Sequence, residues 1–142
     1  MNPTLAIIAK VARGLGEPAV LLDAELGFVE ANTAFADLCG VRLKHIARVA
    51  RSPLDLLRCD SDDPRGRAKE ALSRRVPIRL AELKVHTQEG SALTVHQTFT
   101  PVEDHDGVPL GLLITYRNVT DESRLQEHYR ELLQKEKQRA EA

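Results

Sequence analysis

Tryptophan is absent from this chain, and aromatic residues make up only 4% of its 142 positions. Stacking platforms for single-stranded nucleic acid need more rings than that. Charge of one sign is also lacking. Twenty Lys and Arg against 21 Asp and Glu leave a formal net charge of −1, so no global field draws the chain to nucleic acid or to an anionic membrane. Cysteine is scarce: Cys39 and Cys59 are too few for a disulfide framework and lack Cys-x-x-Cys spacing. Long apolar runs are missing as well. The start, MNPTLAIIAKVARGLG, is interrupted by Lys10 and Arg13 and has no basic leader. A membrane span would need about 20 consecutive apolar residues, so this stretch is read as neither signal peptide nor span. Together these absences point to the reducing cytoplasm, with no nucleic-acid partner. What is present is ordinary globular material, 42% hydrophobic and 29% charged, of a length that suits one domain with a short appendage.

Residues Pro3 to Leu15 place Leu5, Ile8, Ala12 and Leu15 at helical spacing, with Asn2 as cap and Pro3 in the first turn. A helix this short is marginal alone and must dock, either on its own domain or on a second copy. AVLLDAELGFVEAN then reads as a hairpin, with Gly27 at the flexible turn position. Asn32 stands where a helix cap belongs, before TAFADLCG, and Gly40 stops that helix. From Val41 to Ile78 the pattern is irregular: His45, Ile46 and Val49 mark one helical turn, and Leu54, Leu56 and Leu57 form an apolar cluster. CDSDDPRG is a polar loop, and Arg65 to Arg75 reads as a helix with Ala68, Ala71 and Leu72 inward.

From Arg79 onward the period becomes two. Leu93, Val95, Gln97 and Phe99 share one strand face, and Thr94, His96, Thr98 and Thr100 the other. A third strand, LGLLITYRNV, places Leu112, Ile114 and Tyr116 together. The register of the first hairpin stays open: a two-residue turn around Glu89-Gly90 sets Leu83 and Val85 against the Thr/His face, and a bulge reverses that. The expected architecture is α+β: a five-stranded antiparallel sheet with short helices on one face, framed by a helix at each end.

The order of elements and the local motifs resemble a PAS domain over about Glu17 to Asp121. "PAVLLDAELGFVEANTAFADLCGV" resembles the family's opening, and "HTQEGSALTVHQTFTPVEDHDGVPLGLLITYRNVTDE" its three closing strands. "RNVT" stands where the family commonly carries an Asp-containing tetrapeptide, and Asn118 is the departure. Asn offers only a neutral bond where Asp offers a charge-assisted one. The resemblance implies a sensory or protein-interaction module of a larger signalling protein, such as a histidine kinase of a two-component system. It makes Asn118, Thr120 and Asp121 the residues that transmit a signal at the exit of the last strand. It also implies a hollow between sheet and helices, walled by Phe28, Phe35, Leu38, Ile46, Leu57, Leu72, Val95, Gln97, Phe99, Leu112 and Ile114. Gln97 is the polar exception there and needs a partner: a ligand, a water or a backbone group. A filled core that holds no ligand is the alternative.

The family's cofactors can be checked against the residues. The flavin subgroup carries a reactive Cys in its middle helices, and the alignment puts Pro53 there, with Cys59 several residues too late. Haem would need an axial His before the central strand, and RGRAKEALSRRVP has none. Both cofactors are disfavoured, and any ligand is unknown. His45 reads as a surface or half-buried imidazole. His86 and His96 lack a third metal ligand, and Asp60, Asp62 and Asp63 read as a solvated loop. Ser52, Ser61, Ser73, Ser91 and Ser123 have no nucleophile-elbow context, and no phosphate-cradling glycine motif exists, so no enzyme is expected within this chain.

The last stretch, RNVTDESRLQEHYRELLQKEKQ, is a charged helix. Leu125, Tyr129 and Leu132 step by four and three, which is a coiled-coil seam, weakened by Glu136 at an a position. Asp121 or Thr120 is expected to cap it. A homodimer joined through Leu5, Ile8, Ala12, Leu15, Leu125, Tyr129 and Leu132 is the expected assembly, with an output domain linked after Ala142. The alternative is a helix folded back on its own sheet. The organisation is then 1–16 helix, 17–121 sensor domain and 122–142 signalling helix.

Overall fold

A computed structural model of the chain describes residues 2–46, 53–60 and 62–141. Helix α1 covers Pro3–Gly14. The Asn2 side chain caps it, accepting from the amides of Thr4 at 2.8 Å and Leu5 at 3.3 Å. Strands β1 (Ala19–Asp23) and β2 (Phe28–Ala31) form the expected hairpin, followed by α2 (Thr33–Cys39). Two 3-10 turns, Leu43–His45 and Pro53–Leu56, lead to β3 (Arg58–Cys59) and α3 (Pro64–Arg74). The three long strands are β4 (Ile78–His86), β5 (Ala92–Glu103) and β6 (Pro109–Asn118), and α4 (Thr120–Glu141) leaves the last of them. Ile46 is buried as expected, while Val49, grouped with it in the sequence, lies outside the described residues.

The sheet has six strands, not five, in the order β2-β1-β6-β5-β4-β3, all antiparallel. The addition is β3, two residues long, pairing Arg58 and Cys59 with His86 and Val85. Two residues carry no periodicity, so this strand has no signature in the sequence.

The open register of the β4–β5 hairpin resolves to the bulged alternative. Leu83 pairs with Val95 and Val85 with Leu93, so these residues face the core together. Further along, Leu80 pairs with Gln97 and Ile78 with Phe99, which leaves one extra residue on β4 between Leu80 and Leu83. Glu82 takes the left-handed conformation there, at φ 51°. Without this slip, Ile78 and Leu80 would lie on the opposite face from Leu83 and Val85. The first hairpin also differs from expectation. The left-handed turn residue is Leu26, at φ 66°, and not Gly27. Gly27 matters for space: a Cβ there would stand 2.8 Å from the Asp23 carboxylate, which accepts from the Gly27 and Glu25 amides.

The two faces of the sheet carry separate cores. On the inner face Val20, Leu22, Val95, Phe99, Leu112, Ile114 and Tyr116 pack against Phe35, Ile46, Leu56, Ala68 and Ala71 from the helices and turns. On the outer face Leu5 and Ala9 of α1 close over Leu21 and Val102. Burying a leucine of this kind contributes about 1.5–3 kcal/mol, which answers the marginal stability of so short a helix. It also takes part of the expected dimer surface into the chain's own core. Leu5 and Ala12 are buried within their own chain and Ile8 is half-buried. The apolar residues that α1 leaves exposed are Ile7, Val11 and, at its end, Leu15.

Candidate functional site

The middle of the inner core holds one polar pair. Register sets Gln97 on β5 directly opposite Tyr116 on β6, and the Gln97 Nε2 donates to the Tyr116 hydroxyl at 3.0 Å. Each residue is 3% exposed. The partner of Gln97 is therefore a side chain, which was not among the partners expected for it. Tyr116 also stacks on Phe35, with ring centroids 5.4 Å apart. Burial raises the Tyr116 phenol well above its ordinary pKa, and the neighbouring Cys39 adds to the shift, while the bond from Gln97 opposes it. Burial likewise pushes the Cys39 thiol up to about 12, so it is no nucleophile at neutral pH. Among the described residues, Gln97 Oε1 has no hydrogen-bond partner. The amide lines a cavity of about 10 Å³ with Leu54, Leu57, Pro64, Leu83, Val85, Val95 and Tyr116. That is room for about one water molecule.

The expected pocket walls divide accordingly. Phe35, Ile46, Phe99, Leu112 and Ile114 are fully buried and packed against one another, and Leu38 and Leu72 pack at the margin. Phe28 does not join them: it opens the edge strand β2 and is 39% exposed. Only Leu57, Val95 and Gln97 of that set line the cavity. Small-molecule sites ordinarily enclose about 300–1,000 Å³. Register also separates the two strand histidines: His86 pairs with Ala92, and His96 pairs with Arg117 on the other neighbour.

At the exit of β6, the Asn118 side chain meets the start of α4, two residues before Thr120. Its Oδ1 accepts from the Thr120 amide at 3.1 Å and from the Thr120 hydroxyl at 2.6 Å. Thr120 Oγ1 accepts in turn from the Thr94 amide at 3.0 Å, and the Val119 amide donates to the Thr94 carbonyl at 2.8 Å. The root of α4 is thus bonded to β5, the strand that carries Gln97, three residues away. Asp121 is exposed and is not the cap. Beyond this joint the helix touches little. None of its described residues is buried, and Leu125, Tyr129, Leu132 and Leu133 are 69%, 62%, 47% and 52% exposed. The helix is not folded back on its own sheet.

The other joint is centred on Asn32, which the sequence marked only as a helix cap. Its Oδ1 accepts from the Phe35 amide at 2.9 Å and also from the Ala19 amide at 3.0 Å. Its Nδ2 faces the carbonyls of Ala12, Leu15 and Glu17 at 3.2, 3.2 and 2.7 Å. One side chain, 1% exposed, therefore ties the end of α1 and the start of β1 to α2. A buried Asn between two apolar segments is the only trace of this in the sequence.

Comparison with known proteins agrees with this geometry. The family model described as "PAS fold" matches residues 13–124. The PAS domain of the fruit-fly ELK potassium channel superposes with a TM-score of 0.67 at 19% identity, covering 84% of this chain and 99% of that one. An RNA-binding light-oxygen-voltage receptor superposes at 0.70 with 20% identity, covering 96% of this chain and 38% of that one. A PAS domain from a two-component sensor histidine kinase is more distant, at 0.55 and 13% identity, covering 80% and 94%. No curated protein matches the chain. The fold, the exit helix and the matched residues lead to one conclusion: this chain belongs to the PAS fold family.

Proposed function

We propose that the chain is the sensory and dimerisation module of a larger cytoplasmic signalling protein, and that α4 relays its state to a linked output domain. The observation that carries this reading is the 22-residue helix α4, with no buried residue, an exposed Leu125–Tyr129–Leu132 stripe and a root bonded to β5. A helix apolar along one stripe and fully solvated calls for a partner helix, and a/d spacing suits a second copy in parallel. A shift of β5 then tilts Thr120 and the helix it anchors, which biases two arrangements of the paired helices. The likeness to a histidine-kinase PAS domain supports a kinase as one kind of output. Catalysis belongs to that output domain and not to these residues. No helix among the described residues is long and apolar enough to cross a membrane.

Sedimentation of the 142-residue chain and of a version ending at Asp121 tests the reading. The longer chain is expected to dimerise in the micromolar range and the shorter one to dissociate. Leu132→Asp in the full chain should weaken the dimer by at least tenfold, since a buried leucine contributes about 1.5–3 kcal/mol. A monomer at high concentration, unchanged by the truncation, overturns it. A second reading is an interaction module that senses nothing small. The tight inner core favours it, and Ile7 and Val11, exposed on α1, would then contact the partner.

A further inference from the structure

Helix α1 covers only part of the outer sheet face. Leu5 and Ala9 close over Leu21 and Val102, toward the β5–β6 turn. On β4, β5 and β6 the residues between the core positions point outward. The uncovered half of that face therefore carries Arg79 of β4, His96 and Thr98 of β5, and Thr115 and Arg117 of β6. With Glu17, just before β1, these residues line a surface pocket of about 210 Å³.

Register decides which of them meet. Arg79 pairs with Thr98, Thr98 with Thr115, and His96 with Arg117. The two arginines thus flank β5 from either side, about 10 Å apart across the strands. The Thr98 hydroxyl and the His96 imidazole lie between them, and the Thr115 hydroxyl beside Arg117. Like charges gathered on neighbouring strands destabilise a sheet unless something neutralises them. Other arginines of this chain find acids: Arg13, Arg67 and Arg74 meet carboxylates at 2.7 to 3.2 Å. Among the described residues Arg79 and Arg117 meet none, and both are exposed. Glu17 is the one acid lining the pocket among the described residues, and no ion pair joins it to either arginine. Two arginines less one glutamate leave a local charge of +1, counting His96 as neutral.

We propose that this pocket is an anion site for the phosphate group of a small phosphorylated molecule. Each guanidinium offers a planar fork of N–H donors, and the threonine hydroxyls and the imidazole N–H add single donors. A tetrahedral phosphate presents oxygens on several sides and takes bonds from both arginines at once. The two oxygens of a carboxylate satisfy one fork. A phosphate monoester also carries about −1.5 to −2 at neutral pH, which two arginines match better than one carboxylate does. The site stands between the entry and the exit of the domain. Glu17 leads into β1, and Arg117 is followed by Asn118, which meets Thr120 of α4.

NMR titration of the full chain with inorganic phosphate at neutral pH, with sodium chloride holding the ionic strength constant, tests this. The amides of Thr98, Thr115 and Arg117 should shift saturably, with a dissociation constant of about 1 mM, the range that two charge-assisted contacts give. Arg79→Gln and Arg117→Gln should each weaken binding about tenfold. Both positions are exposed, so the fold should survive either change. Arg42→Gln removes the same charge beside the Leu43–His45 turn, outside the pocket, and should leave the affinity unchanged. Acetate should bind about tenfold more weakly than phosphate. The absence of saturable shifts overturns the proposal, as do shifts that survive both pocket substitutions, an equal loss in the Arg42 variant, or acetate binding as tight as phosphate. None of these results bears on dimerisation through α4, which is read by sedimentation.

Discussion

Replacing Asn32 by alanine should destabilise the domain by about 2–4 kcal/mol. The estimate follows from its contacts. Loss of the oxygen that accepts from the Phe35 amide removes the cap of α2, which costs about 1 kcal/mol. Loss of the same oxygen strands the Ala19 amide, in a strand residue that is 0% exposed, for another 1–3 kcal/mol or so. The three carbonyls facing Nδ2 add less, because Leu15 and Glu17 are exposed and water can reach them. With a urea slope of about 2 kcal/mol per molar, the middle of the usual range, the unfolding midpoint should fall by roughly 1–2 M. Asn32→Asp separates the two halves of the joint. It keeps an oxygen for Ala19 and Phe35 but cannot supply the amide donors. The amides of α1 from Leu5 to Ala12 should therefore exchange faster, while those of α2 hold. A midpoint shift for Asn32→Ala equivalent to less than about 1 kcal/mol, with unchanged exchange in α1 for Asn32→Asp, would refute the idea that this side chain joins the three elements.

Gly111→Ala should cost about 1–3 kcal/mol or more, read as a lower melting temperature, because a Cβ at Gly111 would run into the backbone oxygen of Leu22 on the paired strand β1. A stability loss no larger than that of a surface Gly→Ala change would count against the close β1–β6 approach. Stability should also fall as pH rises from about 9 toward 12. The Cys39 thiol holds its proton to about 12 in the folded chain against 9.0 when solvated, so over that window the folded state binds more protons than the unfolded one. Tyr116 works in the same direction. Denaturation at several alkaline pH values should show a shallower slope for Cys39→Ala, and an unchanged slope would place the thiol in contact with solvent.

Much of this fold can be read from residue order because half-buried elements write their period into the chain. The alternation from Leu93 to Phe99 and from Leu112 to Tyr116 gives two strands and their inner faces, and both hold. Asn2 and Asn32 announce helix starts through their own capping chemistry, and Gly40 announces a stop, at φ 75°. The candidate site was less legible. Gln97 stands out as polar on an apolar face, but its partner, Tyr116, lies 19 positions away and is chosen by register. On α1 the apolar stripe says that a helix docks, and not on what: Leu5 and Ala12 pack within their own chain, and Leu15 stays exposed.

The sequence by itself determined the class of fold, the order of its longer elements, the caps of α1 and α2 and the apolar stripe of α4, because each depends on residues within a few positions of one another. Tertiary structure alone decided the bulge at Glu82 that turns Ile78 and Leu80 to the core, the strand at Arg58–Cys59, and the docking of Leu5 and Ala9 on the outer face. It also decided that Asn32 and the Gln97–Tyr116 pair are joints. These are choices among surfaces and registers that local chemistry leaves nearly equal. They are settled only when distant segments compete for the same buried space and the same hydrogen bonds.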